Sequence, residues 1–307
     1  MTGIILILLQ LILFIVISPF LSGLITKIKN NIRMRRGQGI LQPYYNLAKL
    51  FSKAEVISET ASWIFRITPF VVISSALAAG LLVPVFIFPN QAHYMGDFLA
   101  FIFILGLGRF FLALSALDTG SSFGGMGSSR EMFISSLVEP AVCLSIFSIS
   151  LQFGSTNITA SSGMHPLTVS AIVTAAALFL ITIAETSRVP VDNQETHLEL
   201  TMVHEAMTLE YSGKSLALIE LSSYIKQMIW FFLIAQIIFP IALPVFVNLR
   251  EIILWLLWYL TRILIIAIIT AVVEISVAKM RLFRVADFLG FAFVLAVIAA
   301  LCAILGL

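Results

Sequence analysis

Apolar residues run along this chain in long, nearly charge-free blocks separated by short polar ones. Eight blocks, at roughly 3–26, 68–88, 96–117, 131–152, 166–185, 224–247, 252–274 and 285–306, approach the ~20 residues that a helix needs to cross a bilayer. The pattern predicts an all-α polytopic membrane protein of about eight transmembrane helices, a single membrane domain over 1–307. Short amphipathic helices are expected in the polar loops after the first and fifth spans. The opening block, MTGIILILLQLILFIVISPFLSGLI, has no basic front and no small-residue cleavage site, so it is expected to remain as the first span.

Composition agrees with the pattern. The chain is 60% hydrophobic and 11% charged, where soluble domains carry about 25% charge. Its two cysteines, Cys143 and Cys302, lie inside apolar blocks and read as small hydrophobes. They are too few for an iron–sulfur cluster, and no close Cys/His set suggests structural zinc. No P-loop, dinucleotide fingerprint, nucleophile elbow or nucleic-acid signature occurs. No catalytic residue, metal or cofactor is expected in the chain itself.

Charge decides orientation. The loop 27–67 holds Lys27, Lys29, Arg33, Arg35, Arg36, Lys49, Lys53 and Arg66. Alternation places loops 118–130, 186–223 and 275–284 on the same side, with Arg130, Arg188, Lys214, Lys279, Arg281 and Arg284, whereas the opposite loops carry only Arg250. The positive-inside rule makes the large loops cytoplasmic and leaves both termini outside.

Within the basic loop, RRGQGILQPYYNLAKLF predicts a glycine turn with positive φ followed by an amphipathic helix lying at the interface. Loop 118–130, DTGSSFGGMGSSR, reads either as a flexible linker or as a close-packed turn beneath a partner protein. Loop 186–223 is the acidic one. The stretch 184–213 holds Glu185, Asp192, Glu195, Glu199, Glu205 and Glu210, two histidines, and Arg188 as its one basic residue. Pro190 and Arg188 are expected to end the fifth span, Asp192 to cap a helix, and Glu195 to about Leu209 to be helical. There Glu195 pairs in register with Glu199, and Thr201 with Glu205. EYSG at 210–213 reads as a turn. His197 and His204 share a face but lack a third metal ligand nearby.

Ionisable residues also fall inside the apolar blocks: Arg109, Glu139, Glu185, Arg262 and Glu274, with Asp118 and Asp287 at block ends. Each costs roughly 2.5–3.5 kcal/mol on insertion scales. They serve either as structural ion pairs or as a proton relay. Glu139, Glu185 and the acidic loop gather toward one side, which favours a relay or a water-filled acidic funnel. Arg109, inside the third block, is a candidate for orienting charge or contacting a partner.

Three stretches carry a resemblance: RRGQGILQPYYNLAKL at 35–50, the Arg130 to Glu139 segment, and AETSRVPVD to EYSG at 184–213. With the eight-span topology they resemble the complex I subunit 1 family, the membrane anchor shared by respiratory complex I and membrane-bound nickel–iron hydrogenases. Complex I members read close to NRAPFDLPEAESEL where this chain has SRVPVDNQETHLEL. The HLELTMVHEAM wording looks like the formate-hydrogenlyase, hydrogenase-type branch.

The resemblance implies a membrane-anchor and proton-coupling subunit of a hydrogenase-type, energy-converting oxidoreductase complex in the cytoplasmic membrane of a prokaryote. Its implied partners are a hydrogenase-like large subunit, a small iron–sulfur subunit and a ferredoxin-like subunit on the cytoplasmic side, and antiporter-like subunits in the bilayer. Iron–sulfur clusters, and a nickel–iron site in hydrogenases, would sit in those partners. By motif, Glu139, Glu185, Asp192, Glu195, Glu199 and Glu210 are implied for the proton path, with Glu205 beside them in the acidic loop. Arg36, Arg130 and Arg188 are implied to orient charge or contact the peripheral arm. Three other readings remain open: the quinone-chamber subunit of complex I, a stand-alone cation-coupled secondary transporter, and a structural scaffold. The transporter reading lacks an inverted repeat.

Overall fold

The computed structural model describes residues 2–58, 60–83, 85, 97–157, 168–192, 202–239 and 249–306. Among these the secondary structure is helical, apart from one isolated antiparallel bridge between Asp97 and Asn157. The helices are α1 (Thr2–Ile32), α2 (Gln42–Ser52), α3 (Trp63–Leu82), α4 (Phe98–Asp118), α5 (Ser122–Phe153), α6 (Val169–Glu185), α7 (His204–Thr208), α8 (Gly213–Ile238), α9 (Leu249–Ser276) and α10 (Leu282–Leu305). α1, α3, α4, α5, α8, α9 and α10 are long and apolar enough to span a membrane, and α6 is an apolar helix of 17 residues. Helices suit this chain because hydrocarbon offers backbone groups no partners outside their own segment. The starts of α3, α4, α5 and α6 are capped by Ser62, Asp97, Ser121 and Thr168, whose side chains accept from the first-turn amides.

α8 is the axis of the bundle. The most apolar window of α8 is 78% buried, against 50% or less for the other six long helices. α1, α2, α3, α6 and α9 pack around it, and α10 closes the far side against α5 and α6. Phe101 meets Trp230 edge to face with centroids 5.8 Å apart. The outer faces of α3 and α4 present Phe70, Phe103 and Phe110 to the hydrocarbon side.

Several boundaries differ from the sequence-based expectation. The basic loop is shorter than 27–67 suggested, because α1 continues to Ile32 and α3 begins at Trp63. The amphipathic helix is present as α2, with Leu47 buried. The residue with positive φ before it is Met34 (φ 54), not a glycine. Gly37 is needed instead for close approach, since a Cβ there would lie 1.9 Å from Asn30 Nδ2.

The Gly/Ser stretch 118–130 is no linker. All but its first few residues form the start of α5, and its small residues admit the chain's own α7. A Cβ on Gly127 would come within 2.8 Å of Ala206 Cβ and 3.0 Å of the Val203 carbonyl. The fifth apolar block ends in a helix-stop turn. Ser187 takes a left-handed conformation (φ 50), its amide donates to Ala184 O (3.0 Å), and the Arg188 amide donates to Ile183 O (3.0 Å). α8 runs unbroken from Gly213 to Ile238, so the sixth span begins well before the apolar block at 224–247. Of the helix expected over 195–209, α7 is the described part; Glu195, His197 and Glu199 lie outside the described residues.

Candidate functional site

Two buried ion-pair groups meet at the end of α6. The first is built on Glu185, the last residue of that helix, whose side chain is 1% exposed. Arg109 Nη2 on α4 lies 2.5 Å from Glu185 Oε1, and Lys226 Nζ on α8 lies 2.7 Å from Glu185 Oε2. Arg109 Nη1 donates to Ser135 Oγ (3.0 Å) and lies 3.5 Å from Glu139 Oε1, both on α5. The Glu139 side chain is 53% exposed on the outer face of the bundle. Pro140 follows it, leaving the Ser136 carbonyl without its usual intrahelical donor. Glu131, Ser135 and Glu139 stand four residues apart, so they form one row along α5.

The second group is built on Arg188, three residues beyond Glu185. The turn at Ser187 sends it away from Glu185 and toward α9. Arg188 Nη1 lies 2.6 Å from Glu274 Oε1, and Arg188 Nη2 donates to Gln227 Oε1 at 2.8 Å. Lys29 Nζ of α1 lies 2.8 Å from Glu274 Oε2. Asp192 is buried and binds two ways: Lys279 Nζ lies 3.1 Å from Oδ1, while Oδ2 accepts the Val203 and His204 amides at 3.1 and 3.2 Å. Asp192 therefore does cap a helix, but the helix is α7, which starts twelve residues further on at His204. Arg130 fastens the same segment by donating to Met202 O (3.0 Å).

EYSG is a clamp more than a turn. Tyr211 stacks on Phe65 at 4.0 Å and donates to the Phe65 carbonyl (3.1 Å). Burial pushes the Tyr211 hydroxyl up to about 12. Ser212 Oγ accepts from the Val56 amide (2.8 Å) and donates to the Val56 carbonyl (2.9 Å). Gly213 has φ 53 and lies so close to Ala54 that a Cβ would sit 2.7 Å from its carbonyl oxygen. The motif thus ties the start of α8 to the segment between α2 and α3.

Three cavities run in series past these groups. A polar cavity of ≈ 620 Å³ lies between α1, α2 and α8, with Lys29, Arg188, His204, Glu205, Glu220 and Glu274 on its walls. A smaller one of ≈ 60 Å³ follows, lined by Arg109, Glu131, Glu185, His204 and Lys226. It shares His204, Ile219 and Ser223 with the first. A third of ≈ 360 Å³ opens at the outer face beside Glu139 and Cys143, and shares Leu105, Arg109 and Glu185 with the second.

Of the residues singled out from sequence, Glu139, Glu185 and Arg109 come together directly. Glu205 lines the large cavity, and Asp192, Arg130 and Arg188 hold the surrounding turns. Arg36 and Glu210 are exposed, and neither lines any of these three cavities. Sequence reasoning missed Lys226, Glu131, Glu220 and the Lys29–Glu274 pairing. The four-residue spacing of Glu131, Ser135 and Glu139 was the available signal for the second of these. Among the described residues no three His, Cys, Asp or Glu side chains gather as a metal site.

Comparison with known proteins places this geometry in a family. Residues 4–305 match the family model described as NADH dehydrogenase. Hydrogenase-4 component C of Escherichia coli K12 is 32% identical over 296 residues, covering 94% of this chain and 92% of the relative. Formate hydrogenlyase subunit 4 of the same organism is 29% identical over 280 residues, 90% of each. NADH-quinone oxidoreductase subunit 8 of Rhodothermus marinus is 27% identical over 216 residues, covering 66% and 61%. The fold is shared with a chain of the membrane-bound sulfane sulfur reductase, an archaeal respiratory membrane complex, with a TM-score of 0.79 at 19% identity over 97% of this chain and 99% of that one. The chain belongs to the NADH dehydrogenase subunit 1 family, the membrane-subunit family of hydrogenase and complex I-type oxidoreductases.

Proposed function

We propose that this chain is the membrane-anchor and proton-coupling subunit of a hydrogenase-type, formate hydrogenlyase-like oxidoreductase complex in a prokaryotic cytoplasmic membrane. Its large loops face the cytoplasm and hold a peripheral arm of hydrogenase-like large, small iron–sulfur and ferredoxin-like subunits. Electron transfer through iron–sulfur clusters, and chemistry at a nickel–iron site, belong to that arm. Antiporter-like subunits continue the path within the bilayer.

The carrying observation is the series of three cavities. It leads from a polar vestibule past His204 and Glu185 to Glu139, a half-exposed carboxylate on a hydrocarbon-facing surface. An intramembrane carboxylate in that position calls for a polar neighbour or a proton-handling role. In this reading protons enter at the vestibule, pass the Glu185–Arg109–Lys226 group and leave at Glu139 toward the next membrane subunit. The acidic loop couples the path to the peripheral arm, because Asp192, Arg130 and EYSG fix its described ends to α5, α8 and the segment ahead of α3.

The test is to reconstitute the assembled complex in liposomes with Glu139→Gln or Glu185→Gln. Proton translocation is expected to fall by about 10²-fold, the lower end of what one proton-transfer group contributes, with all subunits still co-purifying. Wild-type translocation in both variants would remove the coupling role.

One observation favours the complex I reading. The 620 Å³ cavity lies between the basic loop and the acidic loop, where a quinone chamber would be expected. Its walls carry Lys29, Asn30, Gln38, Asn46, Arg188, Glu205, Glu220 and Glu274, whereas small-molecule sites are predominantly apolar with a few placed polar groups. That lining suits water better than a quinone ring. Substrate-competitive inhibition by a quinone-site inhibitor would reverse the preference.

A further inference from the structure

The small cavity between Glu185 and the vestibule has an uneven distribution of charge. Arg109 on α4, Glu131 on α5, Glu185 on α6, His204 on α7 and Lys226 on α8 all line it, and α3 contributes Ser75 without a charge. Two carboxylates therefore face two permanent cations. Both cations lie on the same carboxylate: Arg109 and Lys226 each contact Glu185, at 2.5 and 2.7 Å. Glu131 has no ion-pair partner within 4.0 Å among the described residues, although it lines the same space.

The two cations are held differently. Arg109 is 9% exposed and also engages Ser135 and Glu139, so its planar guanidinium is fixed from three sides. Lys226 is 21% exposed and makes one ion pair through a flexible four-carbon stem. Ser222 and Ser223, one turn back on α8, line the cavity beside it and offer hydroxyl oxygens to an ammonium that leaves Glu185. The cavity of ≈ 60 Å³ has room for a few waters, which can solvate an ammonium between the two carboxylates.

We propose that Lys226 is a mobile counter-ion that exchanges between Glu185 and Glu131 across this cavity, and so decides when Glu185 can take up a proton. It is a positioning residue acting through Glu185. With Lys226 on Glu185, two cations hold that group as a carboxylate and the path is shut. With Lys226 on Glu131, each carboxylate keeps one cation. A hydronium in the cavity then gives its proton to Glu185 Oε2 and remains as water, and the proton moves on toward Glu139. The return of Lys226 expels the proton and resets the gate. Glu131 is the resting place that makes the departure of Lys226 affordable in a site of low dielectric, because an unpaired ammonium there would be costly.

This inference rests on the proton-coupling reading above. Its test is a double-mutant cycle in the assembled complex, reconstituted in liposomes, with proton translocation measured per turnover linked to reduced methyl viologen. Lys226→Met and Glu131→Gln are each expected to lower translocation about tenfold. The double variant is expected to lose no more than Lys226→Met alone, because residues acting as one unit are non-additive. Lys226→Arg is expected to retain most of the coupling, since it keeps the charge. Losses that multiply in the double variant overturn the gate. Among the described residues Glu131 makes no ion pair within 4.0 Å and faces Arg109 only at longer range, so wild-type coupling in Glu131→Gln overturns the gate even where Lys226→Met fails to assemble. That result alongside a defective Glu185→Gln leaves the wider reading standing. Wild-type coupling in Glu131→Gln, Glu185→Gln and Glu139→Gln removes both.

Discussion

Tyr211 sits where two parts of the chain must stay in register, stacked on Phe65 and donating to its carbonyl. Burial raises its hydroxyl from the ordinary value of 10.0 to about 12, so the folded chain keeps the phenol neutral over a range in which the unfolded chain releases the proton. The stabilisation is complete below about pH 10 and is lost as pH rises toward 12. Tyr211→Phe is expected to cost about 1 kcal/mol at neutral pH through the lost hydrogen bond. It should also flatten the decline in thermal stability above pH 10, and an unchanged alkaline profile would contradict this. Residues such as Arg109, Glu139 and Glu185 were legible in the sequence because a charge inside an apolar block is conspicuous. Lys226 was not, because it falls near the edge of its block and reads as an interface anchor. Glu131 follows Arg130 at a block boundary and reads as a solvated neighbour. The partnership of Lys29 with Glu274 joins opposite ends of the chain, and no local pattern encodes it.

At the scale of helices, the Gly/Ser stretch before α5 is the clearest mismatch between composition and structure. Glycines and serines in a polar segment resemble a linker, yet small residues on a helix also let another backbone approach closely. Which of these holds depends on what packs there, and α7 lies too far along the chain for a local reading to find it. Gly127→Val would put a branched side chain where Ala206, Val203 and Met207 now sit. Overpacking of this kind costs about 1–3 kcal/mol. The expected outcome is faster amide hydrogen exchange across 203–211, with the rest of the bundle unchanged; equal exchange rates would show that α7 does not depend on this contact. The apolar spans were legible because the bilayer imposes their length. Their ends were less so: α1, α5 and α8 extend their helices into polar sequence, where the hydrophobic signal has stopped but the hydrogen-bonded backbone has not.

For the molecule as a whole, the arrangement separates two jobs. α8 with its surrounding helices supplies a rigid apolar bundle, and the polar groups concentrate where α4, α5, α6, α7 and α8 converge. Each cation there is tied to a carboxylate on a different helix, so the ion pairs both join the helices and line the cavities. The bland and the functional readings of the buried charges therefore describe the same side chains. Their loss should separate by phenotype: removing Arg188 leaves the buried Glu274 carboxylate with Lys29 alone and Gln227 Oε1 without its donor, and is expected to cost about 1–3 kcal/mol of stability. Arg188→Met should appear first as a lower melting temperature and poorer co-purification of partner subunits. A fully stable Arg188→Met complex would mean that Lys29 alone suffices for Glu274.

The vestibule also has an electrical consequence. Water in a cavity of ≈ 620 Å³ takes nearly the potential of the compartment it opens to. In the orientation proposed above, with the cavity open to the cytoplasm, a proton that has reached the neighbourhood of Glu185 would have crossed little of the membrane voltage. Each elementary charge carried across the full membrane is worth about 2.3 kcal/mol per 100 mV, and in that orientation the vestibule itself would take up little of it. On the coupling role proposed above, the work of pumping would fall on the neighbouring membrane subunits, while loading Glu185 would be nearly free of voltage. A complex held at rising membrane potential should slow in its later, charge-moving steps and leave the protonation of Glu185 unaffected.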